Sequence, residues 1–150
     1  MRQVELFWDP FAQLDPGPCI DVLVTNSSDV IEAGRAVGLE YPPPRPLRAL
    51  LDTGASVTVI SRKFAEYCRL RQTSAGSEIS AIGAIHRCGE HAGAISFPGT
   101  ELRSYDPIRI VSADFARERY YACLIGRDIL RNWVITFDGR DKRVIVQERS

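Results

Sequence analysis

Short apolar runs alternate with polar and turn-forming residues along most of this chain. Cys19-Ile20-Asp21-Val22-Leu23-Val24-Thr25 reads as a strand that ends at Asn26-Ser27-Ser28. Leu47 to Leu51 reads as a second strand, and the β-branched run Val57 to Ile60 as extended. Glu78 to Ile85 and Ala92 to Phe97 look like two arms of a hairpin, with Cys88-Gly89-Glu90-His91 near the turn. Ile108-Arg109-Ile110-Val111 alternates as a half-buried strand does. Tyr120 to Ile125 is apolar and compact. Trp133 to Phe137 and Arg143 to Val146 flank Asp138-Gly139-Arg140-Asp141, a hairpin pattern with Gly in its turn.

Helix signals are few. Ser61 is placed to cap a helix over Arg62 to Leu70, with Phe64, Ala65 and Cys68 on one face. A second short helix follows Gly126, where Ile129, Leu130 and Trp133 are spaced for one buried side. Closely spaced strands with one or two short helices predict an all-β barrel or sandwich. Glu40-Tyr41-Pro42-Pro43-Pro44-Arg45-Pro46 cannot lie inside a sheet, because proline lacks the ladder donor. It reads as a polyproline-like connection, in preference to a PxxP ligand for a partner domain.

The chain has 150 residues, enough for one domain and one sizeable core. Nineteen basic residues balance nineteen acidic ones, so no excess of positive charge points to nucleic acid. No stretch is long and apolar enough to span a bilayer. Glu5, Asp9 and Pro10 interrupt any apolar core of a signal peptide, which predicts a cytoplasmic protein without a membrane partner. Cys19, Cys68, Cys88 and Cys123 form no CxxC pair and are expected as reduced thiols.

The segment Leu50-Leu51-Asp52-Thr53-Gly54-Ala55-Ser56-Val57-Thr58 carries the chemistry. An apolar strand leads into a tight turn that lifts one carboxylate on a rigid base, and a second strand leaves it. Gly54 permits a close approach that a side chain would block. Far downstream, Ala122-Cys123-Leu124-Ile125-Gly126-Arg127-Asp128-Ile129-Leu130 brings two apolar residues into a Gly, then opens a short helix.

Together these two segments resemble the retropepsin-like aspartic proteases, across roughly Cys19 to Val146. The resemblance implies a retropepsin-like barrel over residues 19–150, with residues 1–18 as an N-terminal extension. It implies an aspartic endopeptidase that needs no cofactor and no metal, acting on a peptide or protein. Asp52 would be the catalytic acid/base, with Thr53 linking two chains and Gly54 admitting the substrate backbone. Ala55, Ala122 and Leu124 would meet substrate, together with a flap from Ile79 to Glu90 whose tip holds Ile82, Gly83 and Ala84. Gly126, Arg127 and Asp128 would support the catalytic loop.

Carboxylate-only peptide hydrolysis needs two carboxylates at one water, sharing a proton. This chain has one Asp-Thr-Gly and no Asp-Ser-Gly, so an active site of this type lies at a homodimer axis. Retroviral relatives carry an acid where this chain has Ser56, and that acid pairs with the arginine matching Arg127. The resemblance also implies that Arg143 to Gln147 joins a sheet between chains. A catalytically inactive dimeric binding module on the same fold is the alternative.

Two other readings are weaker. His86-Arg87-Cys88-Gly89-Glu90-His91 holds possible zinc ligands, but reads better as a solvent-exposed hairpin tip. A phosphoryl-aspartate site at Asp52 would need a neighbouring lysine or second aspartate, which Ala55-Ser56-Val57 does not supply.

Overall fold

The computed structural model describes residues 1–8, 17–81, 84–115 and 120–149, with only the backbone described over 74–81 and 84–87. Ten strands and three helices are present among these residues. In chain order they are β1 (Arg2–Phe7), β2 (Cys19–Asn26), α1 (Ser28–Ala36), β3 (Leu47–Leu51), β4 (Val59–Ser61) and α2 (Arg62–Tyr67). Then come β5 (Gln72–Ala81), β6 (Ala84–Ser96), β7 (Tyr105–Ala113) and β8 (Cys123–Ile125). The chain finishes with α3 (Arg127–Leu130), β9 (Trp133–Asp138) and β10 (Arg143–Glu148).

The larger sheet runs β2-β3-β8-β4-β7-β6-β5, and a further β2–β6 pairing closes its first six strands into a barrel. Alternation along β2 turns Val22 and Val24 inward, where they meet Ala49, Ile60, Ile95, Ile110, Cys123 and Ile125. Such β-branched side chains pack well against neighbours on a pleated surface. A smaller sheet, β1-β10-β9, lies against this core through Leu6, Trp133, Val144 and Val146. Val59, Cys88 and Val111 form a second buried cluster, with Val57 and Leu124 packed against it.

Several sequence expectations need correction. Cys88 to His91 is not a turn: it lies within β6, and the β5–β6 ladder runs out to the pair Ala81–Ala84. His91 is buried, so the solvent-exposed tip expected there is absent. β2 ends at Asn26 as expected, but Ser28 then opens α1, a helix not expected from the sequence, which brings the helices among the described residues to three. The sequence hides that helix because it lacks an apolar stripe: only Gly34 on it is buried. It is held instead by Tyr41, whose hydroxyl donates to the Val30 carbonyl at 3.2 Å. A Cβ on Gly34 would sit 1.8 Å from that same hydroxyl oxygen.

The first residues of the 1–18 segment supply β1, which pairs antiparallel with β10 from Arg2–Glu148 to Phe7–Arg143. Since β9 covers the other side of β10, both edges of β10 are taken within the chain. The interchain sheet expected at Arg143 to Gln147 therefore has no open edge on that strand.

The Ser61 cap forms as expected, with its Oγ accepting from the Phe64 N–H at 3.2 Å. The proline segment crosses the outside of α2. Tyr67 donates to the Pro43 carbonyl at 3.2 Å, and the Arg45 guanidinium stacks over Tyr67 and Phe64. Its cation and one carbonyl are thus engaged internally, as a connection requires. All four cysteines are free of disulfides. Burial pushes the Cys68 and Cys123 thiols up, which keeps both protonated. Among the described residues no helix is long and apolar enough to cross a membrane.

Candidate active site

The site begins with β8, which lies between β3 and β4. It is parallel to β3 (Leu50–Leu124, Leu51–Ile125) and antiparallel to β4 (Val59–Leu124, Ile60–Cys123). Residues 52–58 must therefore loop over the end of β8 to pass from one neighbour to the other. Asp52 starts that loop, and its N–H donates to the Ile125 carbonyl at 3.0 Å, extending the β3–β8 pairing by one bond.

The turn then closes on itself. The Gly54 N–H donates to Asp52 Oδ1 at 2.8 Å, and the Ala55 N–H to the Asp52 carbonyl at 3.2 Å. An aspartate bonding the backbone two residues on is a local turn device that orients the carboxylate. Among the described residues, Gly54 is the only donor to that carboxylate. Asp52 is half-buried while Thr53 and Gly54 are exposed, so the turn presents its tip outward. Ala55 is half-buried behind it.

The start of α3 braces the loop from beneath. The Arg127 N–H donates to the Ala55 carbonyl at 2.8 Å, and Arg127 Nη1 donates to the Thr53 carbonyl at 2.7 Å. Asp128 accepts from both the Thr58 N–H (2.9 Å) and the Thr58 hydroxyl (2.8 Å). The same carboxylate accepts from the Ile129 N–H at 2.9 Å. Gly126 passes under Val57 so closely that a Cβ there would lie 2.4 Å from the Val57 carbonyl carbon and oxygen. Glycine is required by that approach.

Leu124 is half-buried and faces the Val59–Cys88–Val111 cluster. Ala122 is buried in the main core; its N–H donates to the Arg48 carbonyl, and its own carbonyl accepts from the Ser61 N–H. Ala84 faces Ala81 across the end of the β5–β6 hairpin, and Ile82 and Gly83 lie outside the described residues. Sequence reasoning misses Thr58, although it is fully buried and joins the loop to α3. Its only signal is a hydroxyl residue inside an otherwise apolar run.

No cluster of three or more His, Cys, Asp or Glu side chains suited to a metal gathers among the described residues. The His91 ring Nε2 lies 2.9 Å from Ser112 Oγ, a contact that joins β6 to β7.

Comparison with known proteins follows the same lines. Residues 44–132 match the family described as gag-polyprotein putative aspartyl protease. No curated protein matches the sequence closely enough to count as a relative. Among solved structures, EIAV protease in complex with the inhibitor HBY-793 superposes with a TM-score of 0.53 at 23% identity, over 79% of this chain and 89% of that one. A retropepsin-like aspartic protease from Rickettsia conorii superposes with a TM-score of 0.53 at 11% identity, over 96% of this chain and 89% of the other. At such identities the likeness speaks for the fold. The family match spans both the Asp52 loop and the Gly126–Leu130 brace. This chain belongs to the gag-polyprotein putative aspartyl protease family and has the retropepsin-like fold.

Proposed function

We propose that the chain is an aspartic endopeptidase that works as a homodimer, with Asp52 and the partner's Asp52 as its dyad. The observation that carries this reading is the Asp52-Thr53-Gly54 turn, hung from Ile125 and braced by Arg127, in a chain with a single such turn. A second carboxylate must come from a second copy. Two carboxylates at one water share a proton and titrate as a pair. The ionised member takes a proton from the water as it attacks the peptide carbonyl. The protonated member donates to the carbonyl oxygen. The tetrahedral intermediate then collapses, with a proton passing to the leaving amine. No covalent intermediate and no cofactor enter the scheme.

Thr53 is the candidate cross-chain contact, because it is exposed at the tip of the loop. The substrate would lie extended over Gly54 and Ala55, with Leu124 beneath it and the β5–β6 hairpin above. Closure of a hairpin carrying Ile82, Gly83 and Ala84 at its tip would exclude bulk water. Arg127 and Asp128 hold the loop rather than touch substrate. With β10 enclosed by β1 and β9, the two chains must meet through other surfaces than an added strand on β10.

The test is cleavage of a diverse peptide library, read by mass spectrometry between about pH 4 and 7.5, with Asp52→Asn alongside. Cleavage by the unaltered chain and none by the variant is the expected result. Undiminished cleavage by Asp52→Asn sinks the mechanism. No cleavage by a folded dimer at any pH points instead to an inactive binding module on this fold.

A further inference from the structure

A cavity of about 350 Å³ opens between α2, the middle of β6 and the end of β7. Its size falls within the range of small-molecule sites. The floor is polar and buried. His91 is 6% exposed and Ser112 4% exposed, and their side chains meet at 2.9 Å. Gly89 makes room for this pair: a Cβ there would lie 2.6 Å from Ser112 Oγ and 3.1 Å from His91 Nε2.

The rim carries both signs of charge. Arg69 stands at the position after the α2 cap with φ 52°, the left-handed region where glycine is the usual residue. Arginine is kept there at a cost in backbone strain, which is a pointer to a role for its side chain. Nη1 of Arg69 donates to the Glu40 carbonyl at 2.8 Å, and among the described residues no carboxylate pairs with it. A guanidinium has five donors in a fixed fork, so a carboxylate can still be taken by the rest. Glu66 lines the same rim on the last turn of α2, exposed and without an ion pair among the described residues. The other rim cation, Arg62, is already matched by Asp114 at 3.5 Å. Ala65 and Leu70 add apolar surface to the lining.

We propose that this cavity binds a free amino acid or dipeptide, with its α-carboxylate on Arg69, its α-ammonium on Glu66 and its side chain against Ala65 and Leu70. A simple anion would meet Glu66 unfavourably, and a simple cation would meet Arg69; a zwitterion satisfies both. Ser112 retains hydroxyl capacity for a polar group of the ligand at the floor. The site is independent of Asp52 and of the proteolytic reading.

The experiment is a titration of the full chain with the dipeptide Ala-Leu, followed by the amide shifts of Gly89 and Ser112 and the ring shifts of His91. Saturable shifts at these three residues are expected, with the N-acetylated and the C-amidated dipeptides each bound at least tenfold more weakly. Arg69→Gln should abolish the preference over the C-amide, and Glu66→Gln the preference over the N-acetyl form. Asp52→Asn should bind as the unaltered chain does. No saturable shift in folded protein overturns the proposal. So does equal binding of the doubly capped peptide. Shifts confined to Gly54 and Ala55 would assign the dipeptide to the Asp52 cleft and overturn it as well.

Discussion

Asp128 grips Thr58 at both its backbone N–H and its hydroxyl, with contacts of 2.9 and 2.8 Å across 70 residues of sequence. Thr58 is fully buried, so neither of its donors can turn to water instead. The same hydroxyl oxygen lies 3.3 Å from the Gly126 N–H, which it accepts. This small network ties the far end of the Asp52 loop to the start of α3.

Replacing Asp128 by alanine leaves the Thr58 N–H and hydroxyl without an acceptor. Each buried unsatisfied group costs about 1–3 kcal/mol. Asp128→Ala should therefore lower unfolding free energy by about 2–4 kcal/mol in urea melts, and Asp128→Asn by less. If the chain cleaves peptides, Asp128→Ala should reduce kcat more than it raises KM, because the loop loses register rather than binding surface.

Gly126→Ala tests the close passage under Val57. The added Cβ meets backbone atoms at 2.4 Å, which no side-chain rotation relieves. Overpacking of this kind typically costs about 1–3 kcal/mol or more. Chemical denaturation should show that loss, and an unchanged midpoint would mean the loop can shift freely.

The N-terminal strand is an integral part of the smaller sheet. Leu6 is buried in the main core, so Leu6→Ala should cost about 2–3 kcal/mol. Removal of residues 1–7 should cost more and leave an edge of β10 open. Light scattering on warming should then show earlier aggregation, since an uncovered edge recruits other chains.

Among the described residues, His91 and Glu148 each give the fold a sensitivity to acid. Burial holds His91 below the ordinary histidine value of 6.5, against the Arg71 and Leu70 carbonyls and Glu90, which favour its charged form. The unfolded chain therefore binds the proton more readily. His91 contributes fully above about pH 6.5, and its contribution falls as pH drops from there through the depressed folded value. Burial alone would raise Glu148. The Arg103 N–H and guanidinium and the Tyr105 hydroxyl outweigh burial and hold it below the ordinary 4.5. Its contribution is present above about pH 4.5 and is lost as pH falls through the lower folded value. Denaturant midpoints against pH should decline in these two windows. His91→Gln should flatten the first, and Glu148→Gln the second, with a loss of about 2 kcal/mol at neutral pH for the latter.

Elements governed by neighbours in sequence can be read directly from the residues. The Asp138–Asp141 turn between β9 and β10, the Ser61 cap and the Asp52-Thr53-Gly54 turn are all written in short-range hydrogen bonding. Asp52 bonds Gly54 two residues away, and Ser61 bonds Phe64 three residues away. Alternating burial along β2 and β10 likewise follows a period visible in the chain itself.

Where partners are distant, local pattern misleads. The Cys88–His91 segment has turn-like composition, with a Gly among polar residues. In the fold its Gly89 sits opposite Ser112 because that contact needs a residue without a side chain. Helix α1 has no apolar stripe, because Tyr41 holds it from outside its own sequence.

By itself, then, the sequence determined an all-β chain with one carboxylate raised on a glycine turn and a short helix opened by Gly126. These depend on residues within a few positions of each other. Only the tertiary structure decided that β8 passes between β3 and β4, that Asp128 reaches Thr58, and that β1 closes β10. Backbone pairing energies are nearly the same for many strand partners. The choice among them is made by simultaneous burial of side chains far apart in the chain, which no local pattern records.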